Sequence, residues 1–269
     1  MHLTIAHSPD SDDAYMMAPL ALGWLDPDGF EFDFVRKDIE TLNTEALEGR
    51  YEITAISFGA FPELQGRYEL LTAGSSIQEG TGPLVVARTA MGPVDLSGAI
   101  VAIPGLRTSA FLAFRKWSED HGFTPRTALL PFDQILDAVG AGRFAAGLLI
   151  HESQLMYRDH GLELVADLGA WWKDRYDLPL PMGGNAIRAD LPAEIKLKFA
   201  KLMRRSVELA RERHGESVDY AQSFGRGMDR AMVSRYVQAW VNEFTVDPGI
   251  RGRLSVEKLL GMSPIWVQG

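Results

Sequence analysis

Short apolar segments alternate with amphipathic segments along the first part of the chain. The apolar segments have the length of buried or half-buried strands, and the segments between them repeat their apolar residues at helical spacing. A helix is predicted from Tyr15 to Leu22, ended by Gly23, and another is predicted after Asp38, which can cap it. This alternation predicts a largely parallel sheet covered by helices. The predicted strands are 2–6, 30–35, 51–56, 68–72 and 83–87.

The same rhythm is repeated further along, with helices predicted to begin at Thr108 and Asp133. Beyond residue 188 the chain is mostly helical, and Asp190 is predicted to cap the helix 191–214. Two successive groups of strands and a returning segment predict two α/β lobes with a ligand cleft between them. We expect lobe 1 to contain residues 1–90 and 185–269, and lobe 2 to contain 91–184. The predicted strands here are 99–103, 128–130, 146–150, 162–167 and 182–187.

Small polar side chains or a histidine directly follow four of the predicted strands. Ligands in open α/β sheets bind beyond the carboxyl ends of strands, so these groups are candidates for one binding site. Their convergence favours a binding cleft more strongly than any one of them does alone. The groups are Ser8, Ser57, Thr108 with Ser109, and His151.

Thr108 and Ser109 follow a Pro-Gly turn and begin a predicted helix. Hydroxyls and backbone N–H groups at a helix start bind carboxylates or phosphates well, and Arg107 adds positive charge. The alternative is an ordinary helix cap, which is the common role of threonine and serine at this position.

His151 ends an apolar strand, so its side chain is predicted to emerge at the strand terminus. Imidazole titrates near neutral pH, which suits a general base. Glu152 and Ser153 follow it and can orient the ring or cap the next helix. The alternative is a structural histidine bonded to the backbone.

Three carboxylates, those of Asp10, Asp12 and Asp13, lie in the predicted loop after the first strand. Hard metal ions prefer such ligands, but the loop lacks the glycine and the distal glutamate of a calcium-binding hand. Carboxylates also stabilise the positive end of a helix, so we favour a capping role.

Trp171 and Trp172, with Tyr176, form an aromatic segment that can stack on a planar ligand. The alternative is that these rings belong to the core. The glycine-rich turn at residues 80–83 matches neither a phosphate-binding loop nor a dinucleotide fingerprint.

Composition excludes several classes of function. The chain of 269 residues has 46% hydrophobic residues, a net charge of -9 and no cysteine. Without a basic stripe we expect no nucleic-acid partner, and without cysteine there is no thiol chemistry. Neither a basic leader nor a membrane-spanning apolar run is seen, so we expect a cytoplasmic protein without a membrane partner. The sequence is compatible with an oligomer but carries no signal for one.

Several segments, taken in order, resemble the 1,4-dihydroxy-6-naphthoate synthases of the futalosine route to menaquinone. The resemblance covers most of the chain up to Arg188, it includes the run Ile150-His151-Glu152-Ser153, and its combined motifs are quite specific. The matching segments are 8–9 ahead of Asp13, 38–43, 46–49, 56–57, 80–87, 104–105, Thr108, 150–153, 167–172 and 178–181.

This resemblance implies a type II periplasmic-binding-protein-like fold used as an enzyme. The family converts cyclic dehypoxanthine futalosine to 1,4-dihydroxy-6-naphthoate and releases dihydroxyacetone, with no cofactor or metal implied. The resemblance makes His151 the general base and assigns substrate binding to the segments at Ala55, Ile56 and Ser57 and at Thr108 and Ser109. We also expect Ser8, Asp13, Arg107 and Trp171 to contact the small carboxylated substrate.

One segment departs from the family. The familiar opening is Ser-Pro-Cys-Pro-Asn-Asp-Thr-Phe, whereas residues 8–15 read Ser-Pro-Asp-Ser-Asp-Asp-Ala-Tyr. Added carboxylates repel an anionic substrate unless they are protonated or turned away. Two alternatives therefore stay open: a chorismate dehydratase, against which the His-Glu-Ser motif and Trp171-Trp172 argue, and a solute-binding protein without catalysis.

Overall fold

The computed structural model describes residues 1–225 and 227–269. The chain forms two compact units, of which unit 1 comprises Met1–Ile77 with Pro181–Gly269 and unit 2 comprises Gln78–Leu180. Each unit is built around one sheet. The strands in chain order are β1 (His2–His7), β2 (Glu31–Arg36), β3 (Ile53–Ser57), β4 (Tyr68–Leu71), β5 (Ser76–Gln78), β6 (Leu84–Ala87), β7 (Ile100–Ile103), β8 (Arg126–Leu129), β9 (Ala146–Leu149), β10 (Glu163–Asp167), β11 (Leu180–Arg188) and β12 (Trp266–Val267).

Helices cover both sheets, together with two short 3-10 turns at Phe58–Ala60 and Pro93–Leu96. None of the helices within the described ranges is long and apolar enough to cross a bilayer. The helices are α1 (Ser11–Ala21), α2 (Ile39–Ala46), α3 (Phe61–Leu64), α4 (Ser109–Asp120), α5 (Phe132–Gly140), α6 (Ser153–Met156), α7 (Leu168–Tyr176), α8 (Ala193–Glu212), α9 (His214–Gln222), α10 (Arg230–Trp240), α11 (Glu243–Val246) and α12 (Gly249–Leu260).

The sheet of unit 1 has the strand order β12-β4-β11-β3-β1-β2, with β5 beside β11. β1 runs parallel to β2 and β3, whereas β11 runs antiparallel to β3 and β4. Helix α1 packs against α8, α9 and α10 over an apolar core. Burial of side chains such as Met16, Phe199 and Val237 is the main source of stability for this unit.

The sheet of unit 2 has the order β10-β6-β9-β7-β8. β7 is parallel to β8 and β9, whereas β6 is antiparallel to β9 and β10. Helix α5 packs on β9, and its apolar face places Ile135 and Val139 against Ala102 and Leu149 in the core. Because β7 and β9 are adjacent and parallel, the residues that follow them leave the same edge of the sheet.

The predicted architecture of two α/β lobes is confirmed, with one correction to the sheets. Both are mixed rather than mostly parallel, because β6 and β11 run against their neighbours. A strand buried on both faces has the same apolar pattern in either direction, so the pattern does not reveal this. The first unit boundary lies earlier than the predicted residue 90, because β6 pairs with strands of unit 2.

Two helix starts also differ from the prediction. Helix α1 begins at Ser11, so Asp12 and Asp13 lie in its first turn and not in a loop. Helix α8 is preceded by Pro192 and not capped by Asp190, whose carboxylate instead binds the guanidinium of Arg188 at 2.6 Å. An ion pair with a neighbouring strand end replaces the predicted cap.

Candidate functional site

In unit 1, Ser8 follows β1 and is tied to the start of α1. Its backbone N–H donates to the Asp13 carboxylate at 2.9 Å, and its hydroxyl donates to Asp10 at 2.6 Å. All three residues are buried. The predicted candidates Ser8 and Asp13 are therefore brought into direct contact, with both carboxylates turned towards Ser8.

At the acidic start of α1, burial disfavours negative charge on the aspartates Asp12 and Asp13. Burial raises the pKa of Asp12 well above its usual range, and the carboxylates of Asp13 and Asp10 raise it further. Burial also raises the pKa of Asp13, an effect that His7 opposes. The protonated forms of Asp12 and Asp13 are favoured, so the negative charge of these two residues is reduced.

The predicted capping role is only partly correct. Asp10 occupies the N-cap position of α1, but its side chain accepts no backbone N–H of the helix. Asp12 and Asp13 do lie in the first turn, where the helix dipole favours negative charge, but their burial outweighs this effect. Within residues 1–225 and 227–269, no group of histidine, aspartate and glutamate side chains is arranged to hold a metal ion.

His7, at the end of β1, lies beside this acidic start. Its Nδ1 lies 2.8 Å from the carbonyl oxygen of Ser8, so Nδ1 carries the proton and donates. The ring is fully buried, and burial lowers the pKa of His7. The Nε2 atom is buried without a hydrogen-bond partner.

Ser57 ends β3, the strand beside β1, and is held by Asn43 of α2. The Asn43 amide oxygen accepts from the Ser57 N–H at 2.8 Å, and its nitrogen donates to the Ser57 hydroxyl at 3.1 Å. The neighbouring Ala55 and Ile56 are buried in the sheet, opposite Asn185 and Gly184 of β11. Because both residues are almost fully buried, little of their surface is accessible to a ligand.

In unit 2, Thr108 is the N-cap of α4, as one of the two interpretations of this residue predicts. Its hydroxyl accepts from the N–H of Phe111 at 3.1 Å and donates to the carbonyl of Gly105 at 3.0 Å. Ser109 begins the helix and is buried, and Arg107 is half-buried just before it. The Thr108 hydroxyl is already engaged in two bonds. The groups at this point that can bind an anion are therefore the backbone N–H groups of the first turn of α4.

His151 follows β9 and has an unusual backbone conformation. Its φ of 55° lies in the left-handed region, which residues other than glycine rarely adopt. The side chain is half-buried, and its ring meets Phe132 edge-on at a centroid distance of 5.0 Å. Strained backbone of this kind concentrates at functional sites. Because β7 and β9 are adjacent and parallel, His151 and the Thr108 segment follow neighbouring strand ends.

The predicted aromatic platform is largely part of the protein's own packing. Trp172 is fully buried, and its ring contacts Tyr176 at a centroid distance of 4.5 Å. Trp171 is half-buried, and its indole N–H donates to Asp120 of α4 at 3.1 Å. The core interpretation therefore holds for Trp172, while Trp171 and Tyr176 are half-buried.

Asn43 is a buried partner of the candidate Ser57 that the sequence interpretation missed. It lies fully buried at the same helical spacing as Ile39, Leu42 and Ala46, so it occupies a position on the apolar face of α2. A buried amide on an apolar face needs polar partners, and this was the signal for its role.

Comparisons with known proteins give relatives over nearly the full length. The chain is 36% identical to the 1,4-dihydroxy-6-naphthoate synthase of Thermus thermophilus over 258 residues, which cover 96% of this chain and 92% of that protein. It is 34% identical to the synthase of the same name from Streptomyces coelicolor, over 96% of this chain and 91% of that protein.

Solved structures agree on the fold. A crystal structure of a protein from Archaeoglobus fulgidus superposes with a TM-score of 0.91 at 39% identity, covering 97% of this chain and 96% of that one. A Candida albicans protein described as having the generic periplasmic binding protein fold superposes with a TM-score of 0.73 at 9% identity, covering 97% and 89%. The fold is therefore periplasmic-binding-protein-like. Because the family model described as Menaquinone biosynthesis matches residues 3–264 and the named relatives match over nearly the whole chain, this protein belongs to the menaquinone biosynthesis family.

Proposed function

We propose that this protein converts cyclic dehypoxanthine futalosine to 1,4-dihydroxy-6-naphthoate with release of dihydroxyacetone, and that His151 is the general base. The observation that carries the proposal is the near full-length similarity to relatives named for this synthase. The strained, half-buried histidine at the end of β9 supports the assignment of the base.

The role of His151 in this proposal is to accept a proton from the bound substrate. A neutral imidazole has one nitrogen lone pair for this purpose. Being only half-buried, the ring has an accessible side, while its contact with Phe132 restricts its orientation. Proton transfer by a positioned histidine typically contributes a factor of about 10²–10⁴ to a rate.

The start of α4 is the proposed binding point for the substrate carboxylate. A helix N-terminus carries a partial positive charge, and Arg107 adds a full charge next to it. The Thr108 hydroxyl supports this start by capping it, so its contribution to binding is indirect. We further assign Ser109, and Trp171 through its ring, to substrate binding in unit 2.

In unit 1, the proposed substrate-binding groups are those around Ser8, Asp13 and Ser57, with the strand at Ala55 and Ile56. The acidic start of α1 is compatible with an anionic substrate because burial raises the pKa of Asp12 and of Asp13. The neutral form of each carboxyl is thereby favoured, which reduces its repulsion of an anion. A biosynthetic role of this kind also favours the cytoplasm as the working compartment.

Incubation of the purified protein with cyclic dehypoxanthine futalosine tests the proposal. We expect 1,4-dihydroxy-6-naphthoate and dihydroxyacetone, detected by chromatography with mass spectrometry, and a rate lower by about 10²–10⁴-fold with His151→Ala. His121→Ala is the matched control, because that exposed histidine bonds only the carbonyl of Trp117 in its own helix.

Three further results would contradict all or part of the proposal. Turnover of chorismate instead of the futalosine compound would identify a dehydratase. Tight binding of the futalosine compound in calorimetry, with the ligand recovered unchanged, would identify a solute-binding protein. If His151→Ala makes the naphthoate as fast as the wild type, the assigned base is wrong.

A further inference from the structure

The turn from β9 into α6 is fastened by the side chains that follow His151. The hydroxyl of Ser153 donates to the carbonyl of Ile150 at 2.6 Å, and the backbone N–H of Gln154 donates to the carbonyl of His151 at 3.3 Å. These bonds close the turn on its carbonyl side. The backbone N–H of His151 is satisfied by a different group.

That group is the carboxamide of Gln154. With its nitrogen facing Gly82, it donates to the Gly82 carbonyl at 2.7 Å, and its oxygen accepts from the His151 N–H at 3.1 Å. The opposite orientation of the amide satisfies neither bond, so the hydrogen-bond network fixes this one. One side chain therefore connects the backbone of His151 to the glycine-rich turn before β6.

The register of the sheet explains why a side chain is needed at this point. β6 and β9 are antiparallel, with Leu84 opposite Leu149. Continuing this register by two residues on each strand sets Gly82 opposite His151. The left-handed φ of His151 bends the chain away from the ladder, and the Gln154 carboxamide bridges the two backbones in place of a direct bond.

Gly82 is itself held rigidly, so it is a firm anchor. A Cβ at this position would lie 2.8 Å from the backbone nitrogen of Gly169, which only glycine avoids. The Asp167 carboxylate caps α7 by accepting from Gly169 at 2.9 Å, so Gly82 packs directly against a capped helix start. The carbonyl of Gly82 is bonded to Gln154.

We propose that Gln154 is a positioning residue for His151, which holds the left-handed backbone, and with it the direction of the imidazole, through its amide bridge to Gly82. This inference rests on the proposed function for its effect on catalysis, but not for its effect on the backbone. A left-handed backbone conformation is strained for any residue other than glycine. It is maintained only when the surrounding structure holds it in place. The Gln154 bridge supplies that restraint.

Gln154→Ala removes both bonds of the bridge and tests the inference. We expect kcat to fall by about tenfold to a hundredfold, because small misplacements of a catalytic group have effects of this size. KM should change little, since Gln154 is not assigned to substrate binding. Gln154→Glu has the same shape and keeps the acceptor for His151, but it sets a carboxylate oxygen against the Gly82 carbonyl, so kcat should fall in this variant too.

Gln134→Ala is the matched control, because Gln134 is an exposed glutamine on α5 of the same unit. It should leave kcat and KM unchanged. Circular dichroism should find all variants folded at the assay temperature. Unchanged kcat in both Gln154 variants, or a rise in KM without a fall in kcat, would overturn the inference.

A second measurement separates this inference from the proposed function. Amide hydrogen exchange of His151, followed by NMR, should be at least about tenfold faster in Gln154→Ala than in Gln134→Ala, because a bonded amide exchanges only on opening. If the wild type makes no naphthoate, the proposed function fails and the exchange rates alone decide the role of Gln154. Equal exchange rates in the two variants would show that the bridge does not hold the turn.

Discussion

Asn43 binds Ser57 through both atoms of its carboxamide, with the oxygen accepting from the backbone N–H at 2.8 Å and the nitrogen donating to the hydroxyl at 3.1 Å. Both residues are buried. Ser57 is the last residue of β3, and its N–H donates to a side chain of α2. Helix α2 therefore supplies, through Asn43, the hydrogen-bond partners of the last residue of β3.

Asn43→Ala should destabilise the protein, since it leaves the buried N–H of Ser57 without its acceptor. We expect a loss of about 1–3 kcal/mol in the free energy of unfolding, measured by chemical denaturation. The exposed neighbour Thr44 provides the control, and Thr44→Ala should change the free energy by less than about 0.5 kcal/mol. Equal losses in the two variants would show that the Asn43 bonds to Ser57 contribute little.

Local rules were sufficient for several features of the fold and the site. The caps predicted at Asp38 and Thr108 are confirmed, because a cap depends only on residues within one turn: each side chain accepts from the N–H three residues later. The apolar run before His151 likewise predicted a buried strand ending at the histidine.

Features that depend on distant parts of the chain were not predictable in this way. The polar run at 8–13 is typical of a loop, yet its aspartates are buried at a helix start because β1 and the helical core enclose them. The direction of β6 and the bridge from Gln154 to Gly82 depend on sheet register. No local pattern contains that information.

Asp12→Asn should stabilise the protein at neutral pH. Burial and the carboxylates of Asp10 and Asp13 raise the pKa of Asp12 above the usual 3.8, so the folded state retains a proton that the unfolded chain has lost. Stability therefore falls as pH rises from about the usual aspartate range upward. His7 is the facing titratable group on β1, and burial lowers its pKa, so it is neutral at this pH.

Chemical denaturation across pH measures this effect. The gain of Asp12→Asn over the wild type should be largest near neutral pH and should shrink as pH is lowered towards about 4, where the unfolded carboxyl also binds its proton. Asp174→Asn, at an exposed position on α7, should show no such trend. A gain that grows on acidification would mean that folding lowers the pKa of Asp12 instead of raising it.

Thr108→Ala should reduce both the stability of α4 and the affinity for substrate. Loss of the cap bond to the Phe111 N–H costs about 1 kcal/mol, and a frayed helix start is a weaker anion site. We expect a lower midpoint in thermal unfolding and a higher KM for the futalosine compound. Thr108→Ser keeps the hydroxyl and should keep both properties, so a serine variant as impaired as the alanine variant would exclude the cap as the cause.

His151→Gly and His151→Ala separate the backbone at this position from the side chain. Both variants lack the imidazole, so under the proposed function both should form naphthoate about 10²–10⁴-fold more slowly than the wild type. They should differ in stability, because a φ of 55° is free of cost for glycine but costs alanine about 1 kcal/mol. In chemical denaturation, His151→Gly should therefore be more stable than His151→Ala.

The matched pair is Arg115→Gly and Arg115→Ala, at an exposed position in the middle of α4. There the order should be reversed, with glycine less stable than alanine by about 1 kcal/mol, because the helix conformation favours alanine. The opposite signs at the two positions exclude a general effect of glycine on the unfolded chain. If His151→Gly is the less stable variant, the turn after β9 does not hold its left-handed conformation in solution, and the backbone of His151 is not strained.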